Sequence, residues 1–231
     1  MKMLKINLPL LLFYFISNFG YAQLSSKSFD HKDFNKIKVS GNFNVIVKKG
    51  DVFKITVTGE KRDIDEVISD LKNAELTISY ERKALRTKRT NIEIILPKLQ
   101  AVNFEGSTRA NIEAGFKIDY FNLYSSGSTE LNVEMEAQKI YLDLSGNSTL
   151  SIKGKGEDLQ ANISGASLLN AFDLLVEDAK LEVSGTSGVR ISVSNSLTAN
   201  ASGTAKVRYK GSPSQMQNNA RGFASIKKEG L

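Results

Sequence analysis

A Ser-Gly pair returns along this chain at Ser40-Gly41, Ser126-Gly127, Ser145-Gly146, Ser164-Gly165, Ser184-Gly185 and Ser202-Gly203, with Glu105-Gly106 and Arg221-Gly222 as divergent members. From Gly106 onward the glycines stand 21, 19, 19, 20, 18 and 19 residues apart, and only the step from Gly41 to Gly106 is long. Self-similarity at a fixed short period marks a solenoid, in which no repeat can bury its apolar side alone and stacking is obligatory.

Aligned on the glycines, the chain alternates between apolar and polar positions. Four residues before stand Val102, Leu123, Leu142 and Leu181, and two before stand Phe104, Leu144, Ile163 and Val183. Two after stand Thr108, Thr129, Ser148, Ser167 and Ser187, and four after stand Ala110, Leu131, Leu150, Leu169 and Val189. A period of two is that of a strand with one buried face. It puts the glycine itself on the inward register, at a corner where two walls converge and no side chain fits. Polar linkers such as Glu134 to Lys139 and Lys153 to Asp158 then turn the chain back.

The fold expected is all-β: a parallel β-helix of about eight coils of ~19 residues, right-handed because parallel crossovers are. At the usual strand spacing, such a rod is roughly 35–40 Å long. An antiparallel sandwich also accommodates short alternating strands, but gives no reason for glycine to return on one register.

Residues 51–99 interrupt the rhythm. Phe53 to Val57, Leu76 to Tyr80 and Asn91 to Leu96 read as strands. Between the first two, Asp63 and Glu66 fit a capping box, and Ile64, Val67, Ile68 and Leu71 make an apolar stripe at helical spacing. This insertion reads as a small α+β lid near the amino-terminal end, covering strand edges that would otherwise aggregate.

Residues 1–22 read as a signal peptide rather than as part of the fold. Lys2 and Lys5 precede the apolar run Leu8 to Ile16, and Gly20-Tyr21-Ala22 places small residues for cleavage after Ala22. The run is short of the roughly 20 residues a spanning helix needs, and no later stretch is apolar enough to cross a membrane. Residues 23–231 then form one domain, exported to the periplasm or the cell surface. With no Cys, packing and backbone pairing hold it together.

The composition limits chemistry. There is one His, His31, and no Cys or Trp, so a His/Cys zinc centre and a motif-borne catalytic triad are not expected. Calcium-binding β-rolls need Asp ladders, and sugar-cleaving β-helices need clustered carboxylates. Neither pattern is present in the sequence. No catalytic residue, metal site or cofactor is expected, and the chain reads as no enzyme.

Three segments carry a resemblance to a known family: Phe34-Asn35-Lys36-Ile37-Lys38-Val39-Ser40-Gly41, Ile94-Ile95-Leu96-Pro97-Lys98-Leu99, and Gly203-Thr204-Ala205-Lys206-Val207-Arg208-Tyr209-Lys210-Gly211-Ser212-Pro213. The chain resembles the putative auto-transporter adhesin, head GIN domain family over roughly residues 33–229. The resemblance implies a β-helical fold and an adhesive role, and it supplies no catalytic residues.

The residues flanking the glycines alternate outward. Ser126, Ser145, Ser164, Ser184 and Ser202 on one side, with Ser128, Asn147, Thr186 and Thr204 on the other, would stack into a polar ladder. Such a ladder suits a glycan surface; short polar residues equally suit a solvated corner, where they bond nearby backbone. Charge is uneven: residues 111–184 carry 12 acidic and 5 basic side chains, a net of −7, while Arg82, Lys83, Arg86, Lys88 and Arg89 form a basic cluster. Further cations gather at Lys206, Arg208, Lys210, Arg221, Lys227 and Lys228. The function expected is a non-catalytic adhesin or surface carbohydrate-binding protein, with a glycan as partner. The alternative is an accessory periplasmic protein that docks another envelope component. Nucleic acid is not an expected partner, and the sequence leaves the oligomeric state open.

Overall fold

The corner glycines take positive φ, 73° at Gly146, 75° at Gly165, 74° at Gly185 and 74° at Gly203. A Cβ on Gly146 would lie 2.7 Å from the carbonyl oxygen of Gly127, and one on Gly165 would lie 2.5 Å from that of Gly146. Both the backbone region and the contact exclude side chains. Gly146 is nevertheless exposed, while Leu144 and Ser148 on either side of it are buried. The expected inward glycine is therefore corrected. The corner leaves the alternating register, and glycine is required by its dihedral and by its closeness to the neighbouring coil, not by crowding inside.

The computed structural model describes residues 24–82, 86 and 88–230. The expected signal peptide, residues 1–22, lies outside them. The amino-terminal elements are β1 (Leu24–Phe29), β2 (Lys36–Gly41), β3 (Phe43–Lys49), β4 (Lys54–Glu60), α1 (Lys61–Asp65), β5 (Val67–Lys72), β6 (Glu75–Tyr80) and β7 (Thr90–Leu96). There follow β8 (Ala101–Gly106), β9 (Arg109–Ile112), β10 (Lys117–Gly127), β11 (Glu130–Leu144), β12 (Thr149–Ile163), β13 (Leu168–Val183) and β14 (Gly188–Ala201). The chain finishes with β15 (Lys206–Lys210), β16 (Gln215–Ala220) and β17 (Ser225–Lys228).

These strands make an all-β solenoid of about seven turns of ~19 residues. Eight glycine corners bound seven steps between them, which accounts for the eight coils expected. Each turn runs up one face to a glycine corner, returns along a second face, and bends into the next turn. On the first face β6, β2, β8 and β10 lie side by side in parallel register, followed by the later halves of β11 to β14 and then β16. The second face runs β7, β3, β9, then the earlier halves of β11 to β14, then β15 and β17.

The polar linkers are not loops. β11 and β12 run unbroken through them, with Glu134 opposite Lys153 and Glu136 opposite Lys155. The bend is made inside the strand, where Gln138 and Lys139 are both exposed. The unequal glycine spacings are absorbed near the same bend, as register shifts between Ala171 and Leu175.

The long Gly41–Gly106 step has a topological cause. The β2–β3 coil lies between β6–β7 and β8–β9, so the chain leaves it outward and returns past it. β4 pairs antiparallel with β7, β1 with β4, and β5 with β6. The expected helix is a single turn. α1 has Glu60 at its N-cap with no side-chain bond, and Val67, Ile68 and Leu71 stand on β5. A helix this short is not self-supporting, whereas β5 gains a ladder of bonds from β6. Asp63 is buried beside arginines instead of capping.

The core is one continuous column of apolar side chains, with Phe34, Phe43, Phe104, Phe116 and Phe121 toward the amino-terminal end and Ala199, Ala201 and Ala205 toward the other. Among the described residues, no helix is long and apolar enough to cross a membrane. Gly146→Val should lower stability by about 2–4 kcal/mol, from backbone strain plus the collision with Gly127. The solvent-facing change Asn147→Ala should stay within about 0.5 kcal/mol. Thermal melts of the two variants check both expectations.

Candidate ligand-binding face

Backbone bonds dominate the glycine corner. The N–H of Asn147 donates to the Gly127 carbonyl at 2.8 Å, that of Ala166 to Gly146 at 2.8 Å, that of Thr186 to Gly165 at 2.8 Å, and that of Thr204 to Gly185 at 2.9 Å. The N–H of Ser128 bonds to Gly106 in the same way, at 2.7 Å. Side chains of the ladder bond the same backbone. Ser145 Oγ donates to the Ser125 carbonyl at 3.4 Å, Ser164 Oγ to Leu144 at 3.5 Å, and Thr186 and Thr204 to the glycine carbonyls below them at 3.2 and 3.3 Å. The main-chain N–H groups of Ser184 and Ser202 donate to Ile163 and Val183, each at 2.9 Å. Ser126 stands beside Glu105 in register. The ladder thus exists as a stacked row, with much of its hydrogen-bonding capacity turned toward neighbouring coils.

Glu105, where most repeats have Ser, has a local reason. Its carboxylate meets Lys38 Nζ at 3.0 Å across one coil step. The hydrogen bond from Lys38 holds the Glu105 carboxyl below the usual carboxylate range.

The ladder borders a flat face whose more prominent side chains are aromatic. Tyr120 and Tyr124 are 60% and 42% exposed. Tyr141, in the coil above, packs against Tyr124 with ring centres 5.7 Å apart. Its hydroxyl accepts a hydrogen bond from Asn162 Nδ2 at 2.9 Å. Loss of hydration, and then the neighbouring Asp143 carboxylate, push that hydroxyl above its ordinary pKa, so it remains protonated. Tyr120, Asn122, Lys139, Tyr141, Asp158 and Gln160 line a shallow depression of about 410 Å³ on this face. Lys139 Nζ lies 5.9 Å from the Tyr120 ring centre and 3.9 Å from Asp158. The depression therefore offers an apolar ring face surrounded by amide donors and acceptors and by two charges of each sign, Lys139 and Lys180 with Asp158 and Asp178.

These tyrosines form no motif along the chain. The register brings them together: Tyr120 lies opposite Lys139, and Asn122 lies opposite Tyr141. Counting one coil from Tyr120 and moving two residues along the strand would have located the pair. At the bend runs a longer groove of about 910 Å³, with Glu136, Lys155, Glu157, Leu175 and Glu177 on its walls. It was hidden because those linkers read as turns between strands and not as paired strand.

Residues 33–213 match the family model described as putative auto-transporter adhesin, head GIN domain. The chain belongs to this family. Several solved structures share its shape. A putative adhesin from Bacteroides fragilis is 21% identical with a TM-score of 0.79, over 90% of this chain and 97% of that one. A putative adhesin from Parabacteroides distasonis is 23% identical with a TM-score of 0.70, over 91% and 98%. A protein from the same species described as a putative lipid binding protein is 20% identical with a TM-score of 0.69, over 91% and 98%. At these identities the likeness is one of fold. No curated protein matches the chain.

In this head GIN chain three described residues of the basic cluster, Arg86, Lys88 and Arg89, are committed to local contacts. The Arg86 side chain is 4% exposed, pairs with Glu66 and lies 3.7 Å from Asp63. Its guanidinium stacks over the Tyr80 ring at 3.6 Å. Lys88 meets Glu60 at 2.6 Å, and Arg89 Nε donates to the Ser107 carbonyl at 3.3 Å. Arg86 thus serves the fold by fixing its loop over α1 and β6. Arg86→Ala would leave the buried Asp63 carboxylate with only the exposed Arg62 beside it and would strip Glu66 of its pair, at a cost of about 3 kcal/mol. Chemical denaturation should show that loss, with Lys88→Ala close to wild type.

Proposed function

We propose that this head GIN protein is an exported, non-catalytic surface adhesin whose tyrosine-bearing face binds carbohydrate. The observation that carries the reading is the depression holding Tyr120 and Tyr141 beside Asn122, Gln160, Lys139 and Asp158. A sugar ring presents an apolar C–H face and a rim of hydroxyls. An exposed aromatic ring covers the first at small entropic cost, and amides and charged groups bond the second. Asn162 fixes the Tyr141 ring before any ligand arrives, which limits the ordering cost of binding.

The family description and the adhesin relatives support the adhesive half of this reading. Export follows from residues 1–22 acting as a signal peptide cleaved after Ala22. The serine and threonine ladder borders the face and extends the polar surface next to Tyr124.

Changing both Tyr120 and Tyr141 to Ala should weaken adhesion to a responsive glycan by about tenfold, from roughly 1–2 kcal/mol of lost aromatic contact. The checks are a glycan array for binding and circular dichroism for the fold. A folded double variant with undiminished binding would remove this face as the site. If glycans fail to bind while a membrane protein co-purifies with both wild type and variant, the docking role is favoured instead.

A further inference from the structure

Stacking fixes which side chains meet between coils, and on most of the rod opposite charges meet. Lys117 faces Glu136 at 2.9 Å, Arg109 faces Glu130 at 2.7 Å, Lys153 faces Glu134 at 2.7 Å, and Lys139 faces Asp158 at 3.9 Å. Each of these is a register pair. Among the register partners of the described residues, like signs meet in two places. One is Asp158 beside Asp178, where Lys139 serves the first carboxylate and Asn195 and Ser196 donate to the second.

The other place is on the second face toward the carboxyl end, where Arg190, Arg208 and Lys227 stand in consecutive coils of one column. Lys206 and Lys210 flank Arg208 on the same outward side of β15. All five are exposed. Glu229 meets Arg208 at 3.1 Å; among the described residues no ion pair reaches Arg190, Lys206 or Lys227. Like charges directly opposite one another on neighbouring strands cost stability, Glu229 offsets that cost only at Arg208, and a local rule broken with so little compensation points to a use.

Protection of an open sheet edge is one use of lysine, and Lys227 on the last strand fits it. Arg190 lies two coils inside that edge and does not guard it. What the whole column fits is a ligand with its own row of anions. We propose that Arg190, Arg208 and Lys227, with Lys206 and Lys210 beside them, form a track for a linear acidic polysaccharide.

Cations repeat along the rod axis at the strand spacing of about 4.8 Å and across it at about 6.5–7 Å, two residues along a strand, so successive carboxylates or sulfates of one polymer have partners. The register neighbours within the array are Asn170, Gly188, Ser192 and Ser225. Apolar side chains stand only at its margin, Phe172 half-buried under Lys210 at 4.3 Å and Leu168 beyond Gly188, which favours a polysaccharide over a lipid surface. The track lies on the opposite face from Tyr120 and Tyr141 and does not depend on them.

The test uses the folded mature protein with polygalacturonate, neutral dextran, and vesicles containing phosphatidylglycerol. Wild type should bind polygalacturonate, with affinity falling at least tenfold between about 50 and about 200 mM NaCl as screening and counterion release require. The triple variant Arg190→Gln, Arg208→Gln, Lys227→Gln should lose at least tenfold of that affinity with an unchanged or raised melting temperature, since it removes a repulsion. The Tyr120→Ala, Tyr141→Ala variant should bind polygalacturonate as wild type does. Three results would overturn the track: equal binding by the triple variant, loss confined to the tyrosine variant, or column-dependent binding of vesicles without polygalacturonate.

Discussion

One hydrogen bond, repeated along the rod, sets the geometry from which the rest follows. The N–H of the residue after each corner glycine donates to the carbonyl of the glycine one coil below, from Ser107 on Gly41 to Phe223 on Gly203, at 2.7–2.9 Å. The bond forms because the upper glycine carries no Cβ, which would collide with that same carbonyl, and because positive φ is open to it. With the corners stacked so closely, both faces are held at strand spacing and the interior columns close on themselves. Buried hydroxyls complete the corner: Thr108 donates to the Gly41 carbonyl at 3.2 Å and Ser187 to that of Gly165 at 3.3 Å. The small polar column behind the glycines is thus the inner half of the same device.

Because stacking is in register, outward chemistry becomes a matter of columns. A residue acts together with those about nineteen positions away more than with its chain neighbours. Opposite charges aligned this way tie coils together, although each such exposed pair contributes little on its own. Tyr120 and Tyr141 become one depression by the same rule, and Arg190, Arg208 and Lys227 become one row. Fold and recognition are therefore written in one period, and binding properties can change by substitution on a face without disturbing the corners.

Much of this was legible in the sequence. The recurring glycine gave the period, and the columns on either side of it gave the buried faces, because interior positions such as Leu142, Leu144 and Leu150 tolerate little else. What was not legible depends on distant partners or on dihedral angles. Alternation alone put Gly146 inside, since no pattern of residue types reveals a positive φ. Ile64, Val67, Ile68 and Leu71 fit a helix locally, and only pairing with Glu75–Tyr80 makes Val67–Lys72 a strand. Arg86 stands in the sequence only as one member of a basic cluster, and it is Asp63 and Glu66, distant along the chain, together with Tyr80, that close around it. The polar bend reads only as a turn because charged residues occupy its outward positions, and its continuous strand pairing, with the groove, was missed. At the candidate site, the serines were found because they adjoin the repeat signal, and the tyrosines were not because they break it.

Stacking rests on the glycine carbonyls bonding from coil to coil, and amide hydrogen exchange measures that bond directly. Asn147, Ala166, Thr186 and Thr204 lie at exposed corners, where an unbonded amide would exchange at close to the free-peptide rate. If stacking is as described, their N–H groups should be protected to nearly the same extent as that of Leu142 in the buried strand, opening only when the rod does. Fast exchange at these four amides, with the interior strands still protected, would contradict it.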